Sequence, residues 1–114
     1  MDLVITRSGN VSTVEPRGRI DSVTAKEFGD RLSQLVRSGA NRIVIDLANI
    51  AYISSAGFRA LLIAGKLVEE TDGKLALCGV AGEVKRLFDL ASFTDLFLIC
   101  GTRDDCVAKV QASD

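Results

Sequence analysis

Short apolar runs of strand length recur along this chain, and beyond residue 20 single amphipathic segments separate them. Arg42-Ile43-Val44-Ile45-Asp46-Leu47 is β-branched and does not alternate, the pattern of an interior strand covered on both faces. Lys74 to Val80 reads the same way, and Leu96 to Cys100 supplies a last strand. Phe28, Leu32, Leu35 and Val36 recur at i, i+4, i+7 and i+8, an amphipathic helix that Gly39 ends. Phe58, Leu61, Leu62, Gly65 and Val68 mark a second helix that stops near Asp72-Gly73. Val84, Leu87, Phe88 and Ala91 mark a third, and Cys106 to Val110 a terminal one. Strands joined by one helix each run parallel, because a crossover returns the chain in the same direction.

The first twenty residues differ. Val4 to Thr6 and Val11 to Val14 flank Ser8-Gly9-Asn10, a hairpin signal. The second strand is expected to run on through Gly18 to Ile20, with an edge, a bulge or a break at Pro16. Thr24 and Glu27 have the spacing of a capping box, with Asp21 and Ser22 as rival caps. The order β-β-α-β-α-β-α-β-α predicts one α/β domain over residues 1–114. Its sheet is mixed and mostly parallel, with an antiparallel N-terminal hairpin and about four helices. At 114 residues there is room for one domain, expected to melt cooperatively.

Composition removes several functions. Fourteen Lys and Arg against fifteen Asp and Glu give a net charge of -1, with no basic excess for nucleic acid. The absence of histidine excludes Ser-His-Asp and Cys-His catalysis, an HExxH zinc site and a histidine switch. Cys78, Cys100 and Cys106 have no CxxC spacing, so no metal site and no cofactor is expected. Cys78 and Cys100 sit in apolar runs, and the cysteines read as buried and reduced. The N-terminus lacks the features of a signal peptide, and no apolar stretch approaches the roughly 20 residues of a membrane span. A cytoplasmic protein with no membrane partner is the expectation.

Parallel strands bring the loops at their carboxyl ends to one edge of the sheet, where open α/β sheets place function. Here those loops are Asp21-Ser22-Val23, Ile53-Ser54-Ser55-Ala56-Gly57 and Gly79-Val80-Ala81-Gly82. The middle one sets two hydroxyls at a helix N-terminus. Either serine could simply cap the helix. Either could instead accept a phosphoryl group, whose charge of about -1.5 to -2 the helix N-terminus would favour. Nucleophilic catalysis is the weaker choice, since no histidine or G-x-S-x-G elbow activates a serine. Asp21 is a cap or a functional carboxylate. Arg59, one turn beyond Ser55, is a solvated charge or a phosphate partner. Phe58, Leu61 and Leu62 read as core by their spacing.

Three segments together resemble the STAS domain of bacterial anti-sigma factor antagonists. They are Gly18-Arg19-Ile20-Asp21, Ile43 to Leu47 continuing through Ile50 to Leu61, and Leu77-Cys78-Gly79-Val80 with Val84 to Leu90. The likeness covers nearly the whole chain, and the length agrees with a free-standing protein. It implies a partner-switching regulator without catalysis of its own. In that family an anti-sigma factor that is a serine kinase phosphorylates a serine at the start of the second helix. The unphosphorylated protein binds the anti-sigma factor and frees the sigma factor, and a phosphatase resets the cycle. The family pattern Asp-Ser-Ser/Thr-Gly-Leu-Gly sets Ser55 at the acceptor, with Ser54 as the alternative. Ser54 itself stands where the family has Asp, and Phe58 and Arg59 where it has Leu-Gly. Gly57 is read as leaving access for the kinase. The partner surface implied comprises Asp21, Ser54, Ser55, Ala56, Gly57, Phe58 and Arg59. A STAS scaffold that is never phosphorylated, or a small anion- or ligand-binding protein, are the rival readings.

Overall fold

A computed structural model describes residues 1–111; the last three residues of the expected 1–114 domain lie outside it. β1 (Leu3–Ser8) and β2 (Val11–Pro16) pair antiparallel, with Ser8 opposite Val11. Gly9, at φ +60, takes the positive-φ position that a two-residue hairpin loop needs. β2 then lies parallel to β4 (Arg42–Asp46), but only from Ser12 to Val14. Pro16, with no N–H to donate, falls beyond that ladder.

The second strand does not continue to Ile20. The chain turns through Arg17 and Gly18, at φ +91, and leaves the main sheet. β3 (Gly18–Ile20) pairs parallel with β5 (Ile50–Ile53) in a separate two-stranded sheet. β5 was not anticipated as a strand, because four residues beside a turn carry too little pattern. The main sheet has the order β1-β2-β4-β6-β7, completed by β6 (Lys74–Cys78) and β7 (Leu98–Ile99), and beyond β1 it is parallel. β7 is shorter than expected, since Thr94–Leu96 forms a 3-10 turn.

Among the described residues, four helices cover the sheets: α1 (Thr24–Arg37), α2 (Ser55–Glu70), α3 (Gly82–Leu90) and α4 (Arg103–Gln111). Alternation along the strands sorts the core into two clusters. Val14, Ile43, Ile45 and Leu77 pack with Phe28, Leu32, Leu61 and Phe88 of α1, α2 and α3. Val44, Ala76 and Cys78 face the opposite way, onto Cys106 and Val110 of α4. The cysteines are unpaired and buried. None of the described helices is long and apolar enough to cross a membrane.

Candidate functional site at the start of α2

The β3–β5 ladder sets two loops side by side. The amide of Ser54, just past β5, donates to the carbonyl of Ile20 at 2.8 Å, so Asp21 and Ser54 leave neighbouring strand ends. Burial of Ile20 and Ile53 locks this pair of strands under α2.

Asp21 is a cap. Its Oδ1 accepts the amides of Thr24 and Val23, at 2.9 and 3.0 Å. Those amides hold its carboxyl below the usual carboxylate range. The expected Thr24–Glu27 capping box does not form. The Thr24 hydroxyl instead accepts the Asp21 amide at 2.9 Å and donates to the Arg19 carbonyl at 2.8 Å. Arg19 in turn lies over the ring of Tyr52, 4.5 Å from its centroid, which ties the two strands on their outer face.

The adjacent serines divide the work. Ser54 is the N-cap of α2: its backbone is extended, and its Oγ accepts the amide of Gly57 at 3.2 Å. Its carbonyl accepts Phe58 N–H at 3.0 Å. Ser55 occupies the first helical position and is exposed, and its hydroxyl has no partner among the described residues. The amides of Ser55 and Ala56 likewise find no backbone acceptor there. One hydroxyl is spent on the fold, and the next is free beside two unspent donors.

Two residues counted with the partner surface face inward. Phe58 is buried, stacked on Phe93 at 4.6 Å and edge-on to Phe88 at 4.8 Å. Gly57 is buried too, and it packs closely on the strands beneath. A Cβ there would lie 2.6 Å from Ile53 Cγ1 and 2.8 Å from Ile20 Cγ2. Ser55, Ala56 and Arg59 remain exposed, and Arg59 has no ion-pair partner among the described residues. A groove of about 300 Å³ between α1 and α2 runs along this turn, lined by Ser22, Lys26, Ala56, Arg59 and Ile63. A larger hollow of about 340 Å³ lies at the far end of α2 and touches none of these residues. The Gly79–Gly82 loop, expected on the same edge, packs on the turn after β4: a Cβ on Gly79 would lie 2.4 Å from Ala48 N.

Sequence reasoning missed a charged cluster under α4. Arg103 pairs with both Glu15 and Asp46, its Nε donating to Asp46 Oδ2 at 2.9 Å. Asn49 and Arg17 also reach Glu15, at 2.9 and 3.0 Å. Arg103 first, then Asn49 and Arg17, hold the Glu15 carboxyl below its ordinary value. The available signal was Asp46 itself. A carboxylate in a run covered on both faces needs a partner.

The family model for the STAS domain matches residues 2–106. The chain belongs to the STAS domain family. This STAS domain is 32% identical over 97 residues to BtrV of Bordetella bronchiseptica, assigned as an anti-sigma factor antagonist; the match covers 85% of the chain and 84% of BtrV. Its fold resembles that of a Thermotoga maritima protein likewise assigned as an anti-sigma factor antagonist. There the TM-score is 0.89 at 18% identity, over 96% of this chain and 95% of that one. The Bacillus cell fate determinant SpoIIAA, in its phosphorylated form, gives 0.72 at 14% identity, over 96% and 99%.

Proposed function

We propose that this STAS domain, spanning residues 1–114, is a cytoplasmic anti-sigma factor antagonist with no catalysis of its own, switched by phosphorylation of Ser55. The unmodified protein binds an anti-sigma factor that is also a serine kinase, and so releases a sigma factor. The kinase moves the γ-phosphoryl of ATP to Ser55 Oγ, which gives up its proton, and ADP leaves. A serine phosphatase removes the group. The partner meets Ser55, Ala56 and Arg59, with Asp21 and Ser54 holding the two loops beneath them. The relatives' names support the antagonist role, and SpoIIAA is a family fold known with a phosphate attached.

One observation carries the choice of residue: Ser54 is committed to the cap while the Ser55 hydroxyl is exposed and has no partner among the described residues. A phosphate on Ser55 would sit beside the unspent amides and positive end of α2, so the fold tolerates it. In a partner interface the same dianion must be desolvated, and binding weakens by about 1 kcal/mol or more. Phosphopeptide mass spectrometry after incubation with the cognate kinase and ATP is the test. Label on Ser55, lost in Ser55→Ala while that variant still binds the anti-sigma factor, is the expected result. Label on Ser54 would reject the assignment. Ser54 in the place of the family aspartate favours a second reading, a scaffold that is never phosphorylated, and absence of any label would establish it.

A further inference from the structure

All three cysteines converge under α4. Cys78 ends β6, Cys100 follows β7 and Cys106 lies in α4, yet they share one apolar cluster with Val44, Ala76 and Val110. The Cys100 amide and the Cys106 thiol donate to the same acceptor, the carbonyl of Leu77, at 2.9 and 3.2 Å. We propose that Cys100 and Cys106 are an oxidative modification site, closing into a disulfide that ties α4 to the end of β7 when peroxide reaches them.

Cys100 is the better partner for three reasons. It is the least buried of the three, at 6% exposure against 1% for Cys78 and 0% for Cys106. It shares the Leu77 anchor, and only five residues separate it from Cys106, so loop closure is cheap. Cys78 is instead fixed within the β4–β6 ladder, opposite Asp46.

The closed fold protects the site. Burial pushes the Cys78 thiol up to about 11 and the Cys106 thiol well above its ordinary value, so neither supplies much thiolate. Opening of α4 is the gate. That helix has nine residues, and the Arg103 pairs with Glu15 and Asp46 pin its first turn. In the open form the Cys100 sulfur, its proton lost, attacks one oxygen of hydrogen peroxide; the S–O bond forms as the O–O bond breaks, and the departing hydroxide takes up the proton and leaves as water. The Cys106 sulfur then attacks it, the S–S bond forms, and a second water leaves. Two thiols are oxidised, and one hydrogen peroxide is reduced to two waters.

The experiment treats the full chain with hydrogen peroxide, then alkylates it with iodoacetamide under denaturing conditions. Intact mass and unreduced peptide mapping follow. The expected product has lost two hydrogens, links Cys100 to Cys106 and carries alkyl on Cys78. Cys78→Ser should still close and Cys100→Ser should not. Arg103→Gln should close severalfold faster, and if it does not fold, sub-denaturing urea should speed the parent in the same way. A link through Cys78, a link between two chains, or separate sulfinic acids would overturn the proposal. So would no reaction at peroxide levels that oxidise the unfolded chain.

Discussion

The side chain of Ser54 closes the first turn of α2 onto the amide of Gly57, 3.2 Å away. This contact orders the whole candidate site. It fixes where the helix begins, leaves Ser55 as the first helical residue facing solvent, and draws Gly57 down onto Ile20 and Ile53. The two serines should therefore separate cleanly in experiment.

Ser54→Ala removes a cap and should lower stability by about 1 kcal/mol. Ser55→Ala, at an exposed first-turn position with no bond to lose, should stay within about 0.5 kcal/mol of the parent. Urea unfolding of the two variants measures this. An equal loss in both would mean that the hydroxyls share the cap.

Gly57→Ala places a methyl against the Ile53 and Ile20 side chains, both buried. Overpacking of this kind costs about 1–3 kcal/mol. The gain in helix propensity, at most about 1 kcal/mol, offsets only part of it. Gly79→Ala should be worse, since φ there is +70 and its Cβ would meet the backbone nitrogen of Ala48. Thermal melts should rank parent, Gly57→Ala and Gly79→Ala in falling order.

Phe58→Ala should cost about 3–5 kcal/mol, as for other large buried aromatics. It packs on Phe88 and Phe93 rather than on the surface. Arg59→Glu should show the opposite profile, with little change in stability and weaker binding of the anti-sigma factor. Calorimetric titration beside unfolding curves distinguishes the two. A stable Phe58→Ala variant that fails to bind would show that the ring reaches the partner.

Glu15 and Asp21 both have carboxyls held below their ordinary values, Glu15 by Arg103 first and Asp21 by the Thr24 amide first. A depressed folded value means the stabilisation is complete above the unfolded value, near pH 4 for Asp and Glu, and is lost as pH falls through the folded one. Stability should be flat near neutrality and fall below about pH 4. Glu15→Gln should be less stable at pH 7 and lose less on acidification, read from urea midpoints between pH 7 and 3.

Arg103→Ala leaves Glu15 and Asp46 buried without their shared cation. Breaking a fully buried pair costs about 3–5 kcal/mol. Here the guanidinium side chain is 38% exposed, so a loss on the order of 2 kcal/mol is expected. Hydrogen exchange should show the added opening concentrated in α4.

The elements and their order were legible in the chain wherever a repeat ran long enough to be seen. Phe28 to Val36 announced α1, and Ile43 to Leu47 announced a strand buried on both faces, because helical and strand periods leave different marks in a few turns of chain. The loop at Ser54-Ser55 was legible because its two hydroxyls stand just before the helical spacing of Phe58, Leu61, Leu62 and Val68. The remainder depended on long-range contacts, at positions where no period exists. Four residues from Ile50 to Ile53 became a strand only because Gly18 to Ile20, 32 to 33 positions earlier, came free at Pro16 to pair with them. Ser54 took the cap because its backbone leaves β5 extended, a matter of where the ladder stops and not of which serine is chemically better. Arg103 found Glu15 and Asp46 across 88 and 57 residues, contacts of burial and charge between side chains. Local pattern records what a residue does to its neighbours in the chain. It cannot record which distant residue will share its burial.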